Sequence, residues 1–362
     1  MSDETHSNYS IRSLAVELGL SRTTVSDALR GVPGVNPKTA QRVQAAATKV
    51  GYKPNPFASA LMSQLRKSRT TRFLGNLAAV YVDEKGLPPG ATRFHQAIIT
   101  GACRRAEELG FHLETFLIGQ NGLTPRRLDS ILRSRGIEGI LLLPSWGEPD
   151  YRELDWSHYA GVYADYVIER PSLHVVCSDH YRSMVSVLQR TIALGYRRMG
   201  LVLQRQQDDR LQNRWAAAFT AFQQNHPEIG YVPTLVVDEF RREPFIRWFG
   251  KHEPDVVLGH WSGVIEWMEQ SGALVPLTHG FVSMNNTMQD RPCAGLDLQP
   301  RLLGARGVEL VIAQLQRNER GSPEFPSTTS LLSRWEDGPT LRQTPPGEKL
   351  ADVIDARVAL RA

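Results

Sequence analysis

The chain has few of the features that mark secreted, metal-binding or membrane proteins. Only three cysteines occur in 362 residues, and none of them, Cys103, Cys177 or Cys293, belongs to a CxxC pair or a metal-ligand spacing. There is no run of about 18 apolar residues, and the first ten residues lack the apolar stretch of a secretory signal. We therefore expect a cytoplasmic protein with reduced cysteines, no bound metal and no membrane contact.

The sequence also lacks the short motifs of common enzyme classes. It contains no GxSxG elbow, no Walker-type GxxxxGK, no HExxH and no GxGxxG after a strand. Its ten histidines are scattered, and no pair of carboxylates stands out as an acid–base couple. We expect neither catalysis nor a cofactor.

Positive charge is concentrated at one end of the chain. Residues 1–72 hold 11 Lys and Arg against 4 Asp and Glu, a net charge of +7, whereas the whole chain carries only +4. A basic N-terminal module ahead of a slightly acidic body indicates that one end meets a polyanion. A chance fluctuation of charge is the alternative.

Three short helical patterns occupy the first fifty residues. Gly19 ends the first, Ser21 stands where the N-cap of the second belongs, and Asn36 can cap a third. The short Gly-containing link between the first two is typical of a helix-turn-helix. The outward face of the second helix carries small polar or basic side chains that suit a DNA major groove: Arg22, Thr23, Ser26, Asp27 and Arg30. A purely structural three-helix bundle is the alternative.

SIRSLAVELGLSRTTVSDALRG, followed by VNPKTAQRVQAAATKVGYKPN, resembles the head of the LacI/GalR family of transcription regulators. The resemblance runs without gaps from about Ser10 to Leu61. It implies base reading by Arg22, Thr23 and Asp27. The positions that usually contact or orient the DNA backbone are occupied by Ser21, Thr24, Ser26, Arg30, Asn36 and Thr39. Lys38, Tyr52 and Asn55 are further candidate DNA-binding residues. Asp27 departs from the family pattern; its carboxylate can accept from cytosine N4 or pair with a neighbouring arginine.

The segment FASALMSQLRKSRTTR, residues 57–72, resembles the hinge of the same family. The resemblance implies a short helix that forms on operator DNA and enters the minor groove, with Leu61 wedged between base steps. Ala58 matches the small residue that lets two hinge helices approach each other, and Arg69 can lie near a phosphate. An ordinary basic linker is the alternative.

From residue 73 to about 340, apolar runs alternate with helical patterns. The alternation predicts two successive α/β lobes with parallel sheets, at about 73–178 and 179–299, and a cleft at the carboxyl ends of the strands. ITGACRRAEELGF and AGLDLQPRLLGARGVELV resemble family segments in the body, the second of which crosses back between lobes. The resemblance implies a periplasmic-binding-protein-like core that closes on a small molecule and forms a dimer.

Six residues are candidates for effector binding in that cleft, and each has an ordinary structural alternative. Arg214 matches a basic residue that clamps sugar hydroxyls in relatives, and Asn285 stands where relatives often carry an aspartate. Trp146 and Trp261 could stack on a ligand or pack in a core. Phe94 and His260 stand at positions that face the cleft in relatives.

The sequence thus predicts a helix-turn-helix head (1–56), a hinge (57–72), a two-lobe core (73–340) and a tail (341–362). The expected function is transcription regulation, as a repressor. A homodimer would bind a palindromic double-stranded operator and respond to a small-molecule effector, sugar-like in character. A solute-binding protein of the same two-lobe class without DNA function is the alternative.

Overall fold

The computed structural model describes residues 11–21, 24–25, 28–29, 35–49, 73–85, 87–147, 149–165 and 170–343. The chain separates into two compact units, residues 1–71 and 72–362. Within the described ranges, no helix is long and apolar enough to cross a membrane.

In the described part of the first unit, α1 spans Ile11–Leu18 and α2 spans Pro37–Lys49, and residues 24–25 and 28–29 between them are also helical. Gly19 follows α1 with a φ of 62°, which confirms its predicted role at the helix end. The small apolar core of this unit takes one stripe from each helical segment: Leu14, Ala15, Val25, Ala28, Val43 and Ala47.

The second unit is built on two six-stranded sheets, one per lobe. In chain order the strands are β1 (Gly75–Val82), β2 (Phe111–Ile118), β3 (Gly139–Leu142), β4 (Ala160–Ala164), β5 (His174–Ser178), β6 (Met199–Gln204), β7 (Leu235–Val237), β8 (Val256–Gly259), β9 (Gly280–Ser283), β10 (Gly295–Asp297), β11 (Thr328–Leu331) and β12 (Arg334–Glu336).

Lobe 1 carries the sheet β11-β5-β4-β3-β1-β2, in which every pairing is parallel. Lobe 2 carries the sheet β12-β10-β9-β8-β6-β7, which is parallel except that β12 runs antiparallel to β10. The predicted fold class, a helical head with a two-lobe α/β core, is confirmed. The predicted parallel sheets are confirmed, with one antiparallel strand, β12, at the edge of the lobe 2 sheet.

Helices cover both sheets of the second unit. They are α3 (Ala91–Glu108), α4 (Pro125–Ser134), α5 (His180–Ala193), α6 (Arg205–Asp209), α7 (Arg214–Asn225), α8 (Arg242–His252), α9 (Val264–Gln270) and α10 (Pro300–Arg317), with 3₁₀ turns at Gln120–Gly122, Trp156–His158 and Asn286–Met288.

Helix α10, the last helix among the described residues, brings the chain back from lobe 2 to lobe 1, where it crosses α3 at close range. A Cβ placed on Gly304 would lie 2.0 Å from the carbonyl oxygen of Ile98, so the two backbones are in contact at this point. After α10, β11 joins the edge of the lobe 1 sheet and β12 the edge of the lobe 2 sheet. Three segments of chain therefore connect the lobes and hold their strand ends opposite each other.

Candidate DNA-binding helices and effector cleft

Two helix starts in the first unit are held by the side chains that the sequence predicted as caps. The Ser21 hydroxyl accepts a hydrogen bond from the Thr24 amide at 3.0 Å and pairs with the Thr24 hydroxyl at 2.8 Å. Asn36 Oδ1 accepts from the Lys38 amide at 3.0 Å, and Pro37 occupies the first helical position. Both capping predictions are confirmed. A capped helix start carries partial positive charge, which favours a phosphate nearby.

Two hydrogen bonds link the described helical residues of the first unit. The Arg42 guanidinium donates to the Leu18 carbonyl at the end of α1, which satisfies a carbonyl that lacks a partner within the helix. Gln44 Nε2 donates to the Ala28 carbonyl at 3.4 Å. Helix α2 is thus bonded both to the end of α1 and to Ala28.

Five of the predicted DNA-binding residues lie among the described residues: Ser21, Thr24, Asn36, Lys38 and Thr39. The other ten lie outside them: Arg22, Thr23, Ser26, Asp27, Arg30, Tyr52, Asn55, Ala58, Leu61 and Arg69.

A small cavity separates the two lobes at the carboxyl ends of their strands, where the sequence placed the cleft. Its volume is about 10 Å³, room for roughly one water molecule. Both lobes and the helices that follow their strands line it, through Trp146, Asp165, His180, Gln207, Arg210, Leu211, Trp215, His260, Asn285, Met288 and Leu298.

A buried ionic contact joins the lobes across this cavity. Arg210, which follows α6 in lobe 2, donates through Nη1 to the Asp165 carbonyl of lobe 1 at 3.1 Å. Its Nη2 lies 3.9 Å from the Asp165 carboxylate, and its guanidinium lies 5.0 Å from the centre of the Trp146 ring. Burial raises the pKa of Asp165, and Arg210 and a hydrogen bond from the Ser178 amide oppose that rise.

Two histidines flank the indole ring of Trp215 at the floor of the cavity. The His180 ring lies 4.8 Å from the Trp215 ring and the His260 ring 5.9 Å from it, both edge to face. Burial, reinforced by Arg210, lowers the pKa of each histidine to about 3. Both imidazoles are therefore neutral near pH 7 and can accept a hydrogen bond on one ring nitrogen.

Four buried polar atoms at the cavity have no hydrogen-bond partner among the described residues: His180 Nδ1, Gln207 Oε1, His260 Nδ1 and Asn285 Oδ1. A buried polar atom without a partner costs about 1–3 kcal/mol, and native structures contain few of them. The amide oxygens of Gln207 and Asn285 can only accept hydrogen bonds. A hydrogen-bond donor in the cavity, which at its present volume is about one water molecule, would give these atoms a partner.

Two carboxylates, the buried Asp208 and the partly exposed Glu84, position aromatic residues of the cavity. Asp208 accepts from the amides of Trp215 at 3.0 Å and Ala216 at 3.1 Å, which fixes the start of α7. In lobe 1, the Glu84 carboxylate accepts from the Trp146 amide at 2.8 Å and from the Gly147 amide at 2.7 Å. Each indole is therefore positioned through its own backbone.

Three of the six predicted effector residues line the cavity, namely Trp146, His260 and Asn285. The other three lie elsewhere. Phe94 is buried in the apolar core beneath α3, and Arg214 donates to Cys177 Sγ at 3.5 Å. Trp261 packs on the outer side of lobe 2, with its ring 5.3 Å from Phe240 and 5.1 Å from Trp267.

The sequence reasoning missed several cavity residues, of which Asp165, His180, Gln207, Arg210 and Trp215 carry the chemistry. Most of them follow a strand end by a few residues, and that position was the available signal. No group of three His, Cys, Asp or Glu side chains in the described part of the chain could hold a metal ion.

Comparison with known proteins gives matches to both parts of the chain. Residues 10–55 match the family model "Bacterial regulatory proteins, lacI family". The HTH-type transcriptional regulator CelR of Thermobifida fusca is 28% identical over 192 residues, which cover 52% of this chain and 54% of that relative. The chain thus spans about half the length of this curated relative.

Solved structures share the fold over most of the chain. A transcriptional regulator CelR–cellobiose complex matches with a TM-score of 0.55 and 19% identity, covering 92% of this chain and all of that one. The lac repressor dimer bound to operator and the anti-inducer ONPF matches with a TM-score of 0.53 and 16% identity, covering 92% and 99%. At these identities the likeness concerns the fold.

The fold and the cleft together define a two-lobe ligand-binding core that follows a helix-turn-helix head. Within this class, the match of residues 10–55 to the lacI family model and the related regulators support a transcription regulator of the LacI/GalR family.

Proposed function

We propose that this protein is a sequence-specific DNA-binding transcription regulator, acting as a repressor, that binds a palindromic operator as a homodimer. The match of residues 10–55 to the lacI family model carries this proposal. The two capped helix starts, at Ser21 and Asn36, and the net charge of +7 in residues 1–72 support it. In this proposal residues 1–56 form the head, 57–72 the hinge, 73–340 the core and 341–362 the tail.

The proposed DNA contacts are of two kinds: reading residues contact base edges, and holding residues contact the phosphate backbone. Arg22, Thr23 and Asp27 read base edges in the major groove, and Leu61 wedges into the minor groove. The remaining proposed residues hold the phosphate backbone: Ser21, Thr24, Ser26, Arg30, Asn36, Lys38, Thr39, Tyr52, Asn55 and Arg69. Ala58 lets the two hinges of a dimer approach each other. Lys38 is exposed beside the capped start of α2, a position that suits a phosphate contact.

Substitution of the reading residues should change sequence preference, whereas substitution of a holding residue should not. We expect Arg22→Ala and Thr23→Ala each to lose about 1–3 kcal/mol of discrimination at one base position. Lys38→Ala should weaken binding on all sequences and reduce the slope of log affinity against log salt by about 1. The measurement is selection from random duplexes with the full chain, followed by affinity titrations at several salt concentrations.

Lys49→Ala is the control, because Lys49 is an exposed lysine at the opposite end of α2. Its substitution should alter neither preference nor affinity by much. Unchanged base preference in both Arg22→Ala and Thr23→Ala contradicts the assigned reading face. Failure of the unsubstituted chain to select any sequence favours the solute-binding alternative.

We further propose that the cleft binds an uncharged, hydroxyl-bearing effector of sugar-like character. The four buried polar atoms without a protein partner carry this part of the proposal, since two of them can only accept hydrogen bonds. Trp146 and Trp215 also line the cavity, and Arg210 and Asp165 already have each other as partners, with Nη2 3.9 Å from the carboxylate. Two structures that share the fold, a CelR–cellobiose complex and the lac repressor with the anti-inducer ONPF, contain a small molecule, which supports an effector role for this core.

Removal of one unpaired acceptor should separate a ligand role from a structural one. Gln207→Met keeps the side-chain length but replaces the unpaired Oε1, so the melting temperature without ligand should not fall. A ligand at about 100 times its dissociation constant stabilises the unsubstituted protein by about 2.7 kcal/mol, a shift of several degrees. Gln207→Met should lose most of that shift. The measurement is a thermal scan against cellobiose and a panel of sugars.

Gln223→Met is the matched control, because Gln223 is also buried but both ends of its side-chain amide are paired. Its Nε2 donates to the Val232 carbonyl, and its Oε1 accepts from the Val232 amide. It should lower the melting temperature and keep the ligand shift. Equal destabilisation by both substitutions would mean that Gln207 is an ordinary structural residue. The absence of any shift across the panel in the unsubstituted protein would contradict a sugar-like effector.

A further inference from the structure

An exposed arginine of lobe 1, Arg93, is hydrogen-bonded to a loop of lobe 2 at the rim of the cleft. Arg93, in the first turn of α3, donates through Nε to the Thr287 carbonyl at 3.2 Å and through Nη2 to the Met288 carbonyl at 2.7 Å. The same Nη2 lies 2.9 Å from Asp290 Oδ1. One side chain thus contacts three residues of the loop that follows β9.

The backbones of the two lobes touch at the same point. Gly90, which precedes α3 with a φ of 80°, faces Met288 so closely that an added Cβ would lie 2.2 Å from the Met288 carbonyl oxygen. Glycine is therefore required here both by its backbone conformation and by the contact. The start of α3 and the loop after β9 form a direct seam between the lobes.

The loop held by Arg93 is also a wall of the cavity. Asn285 and Met288 line the cavity from this loop. Gln289 ties the loop to the neighbouring wall, since its Nε2 donates to the His260 carbonyl at 2.7 Å and its Oε1 accepts from the Ser262 amide at 2.9 Å. Movement of the loop away from α3 would therefore carry Asn285 and His260 with it.

We propose that Arg93 is a latch, a positioning residue that sets how much of the time the cleft is closed. The inference rests on the proposed effector role of the cleft, which it extends to the regulation of closure. Arg93 acts through the two carbonyls, because an ion pair between side chains as exposed as those of Arg93 and Asp290 contributes little. The two carbonyl bonds span the lobes and break when the lobes separate.

Exchange of backbone amides in the full-length protein tests the latch without any ligand. Arg93→Ala should raise the exchange rate of amides in residues 284–290 and 205–215 by about tenfold, the effect of losing one or two hydrogen bonds from a charged donor. Arg93→Lys should give an intermediate increase, because lysine offers no fork that can reach both carbonyls. Asp290→Asn should change the rates by less than about twofold.

Arg104→Ala is the matched control, since Arg104 lies on the same helix, is more exposed and pairs only with Glu108 of that helix. It should leave cleft exchange unchanged. Unaltered exchange in Arg93→Ala, or an equal rise throughout the second unit, overturns the latch. A rise confined to the cleft, combined with no thermal shift by any sugar, keeps the latch and rejects the proposed effector instead.

Discussion

Acidification from pH 7.5 to pH 5 should reduce the free energy of unfolding of the two-lobe unit by about 2 kcal/mol through His180 alone. The pKa of His180 is lowered to about 3 in the folded protein, from an ordinary value near 6.5. Between these two values the unfolded chain binds a proton that the folded chain does not. The stability contributed by the neutral imidazole is therefore complete above pH 6.5 and is lost progressively as the pH falls toward 3.

The cause of the shift is the closed cleft. His180 is 1% exposed, with the edge of Trp215 against its ring and the Arg210 and Arg214 guanidinium groups nearby. Asp165 Oδ1 lies 3.7 Å from His180 Nε2, too far for a strong hydrogen bond to a protonated ring. The neighbouring His260, whose pKa is also lowered to about 3, adds an effect of the same sign.

Denaturant titrations at a series of pH values measure this contribution. His180→Gln should show a shallower loss of stability with falling pH than the unsubstituted protein, by about 2 kcal/mol at pH 5 relative to pH 7.5. His112→Gln, at an exposed position on β2, is the control and should leave the slope as it was. If the slopes of the unsubstituted and His180→Gln proteins coincide, the imidazole is hydrated and the lobes are not closed around it.

The sequence predicted most strands because buried parallel strands are continuous apolar runs. The strand GILL of β3 and the strand VVLG of β8 are examples, each fully buried. It did not predict four strands. Two of them, β5 (HVVCS) and the three-residue β10 (GLD), are largely buried. The other two, β11 (TTSL) and β12 (RWE), lie at sheet edges and are half exposed. An edge strand is stabilised by backbone hydrogen bonds to its neighbour. Because these bonds do not depend on apolar side chains, the strand's sequence shows no hydrophobic pattern.

The position of the cleft was predictable, but its lining residues were only partly so. The carboxyl ends of parallel strands converge whatever their side chains, so Trp146 and Asn285 could be chosen from their places after β3 and β9. Arg210 and Asp165 are 45 residues apart, and their contact exists only because two lobes meet. Trp261 lies two residues after β8, yet its indole packs against Phe240 and Trp267 and does not line the cavity. The sequence does not indicate which way this side chain points.

Arg214 is a predicted effector residue that lies outside the cavity. The family resemblance assigned the ligand-facing guanidinium to Arg214, at the first position of α7. The structure instead places Arg210 in the cavity, while Arg214 contacts Cys177. Because both residues lie beside the start of α7, either could reach the cleft. The path of the loop between α6 and α7 decides which does.

Operator geometry provides the second large effect. A homodimer with two-fold symmetry presents two heads in mirror order, so its site must consist of two inverted half-sites at a fixed separation. Inserting about five base pairs between them rotates one half-site by roughly half a helical turn, to the opposite face of the duplex. One head then cannot reach its groove, and the hinges cannot meet at the centre. We expect affinity to fall at least about 100-fold, toward the level of non-specific binding.

The most direct test of the proposed regulator is therefore an affinity titration on the sequence that the full-length chain selects from random DNA. Three duplexes are compared at one salt concentration: the selected site, the same site with five inserted base pairs, and a single half-site. The account predicts a palindromic selected site that binds at least about 100-fold more tightly than the other two. A half-site that binds as tightly as the complete site, or a spacing change without effect, would contradict the proposal of a dimeric, operator-reading protein.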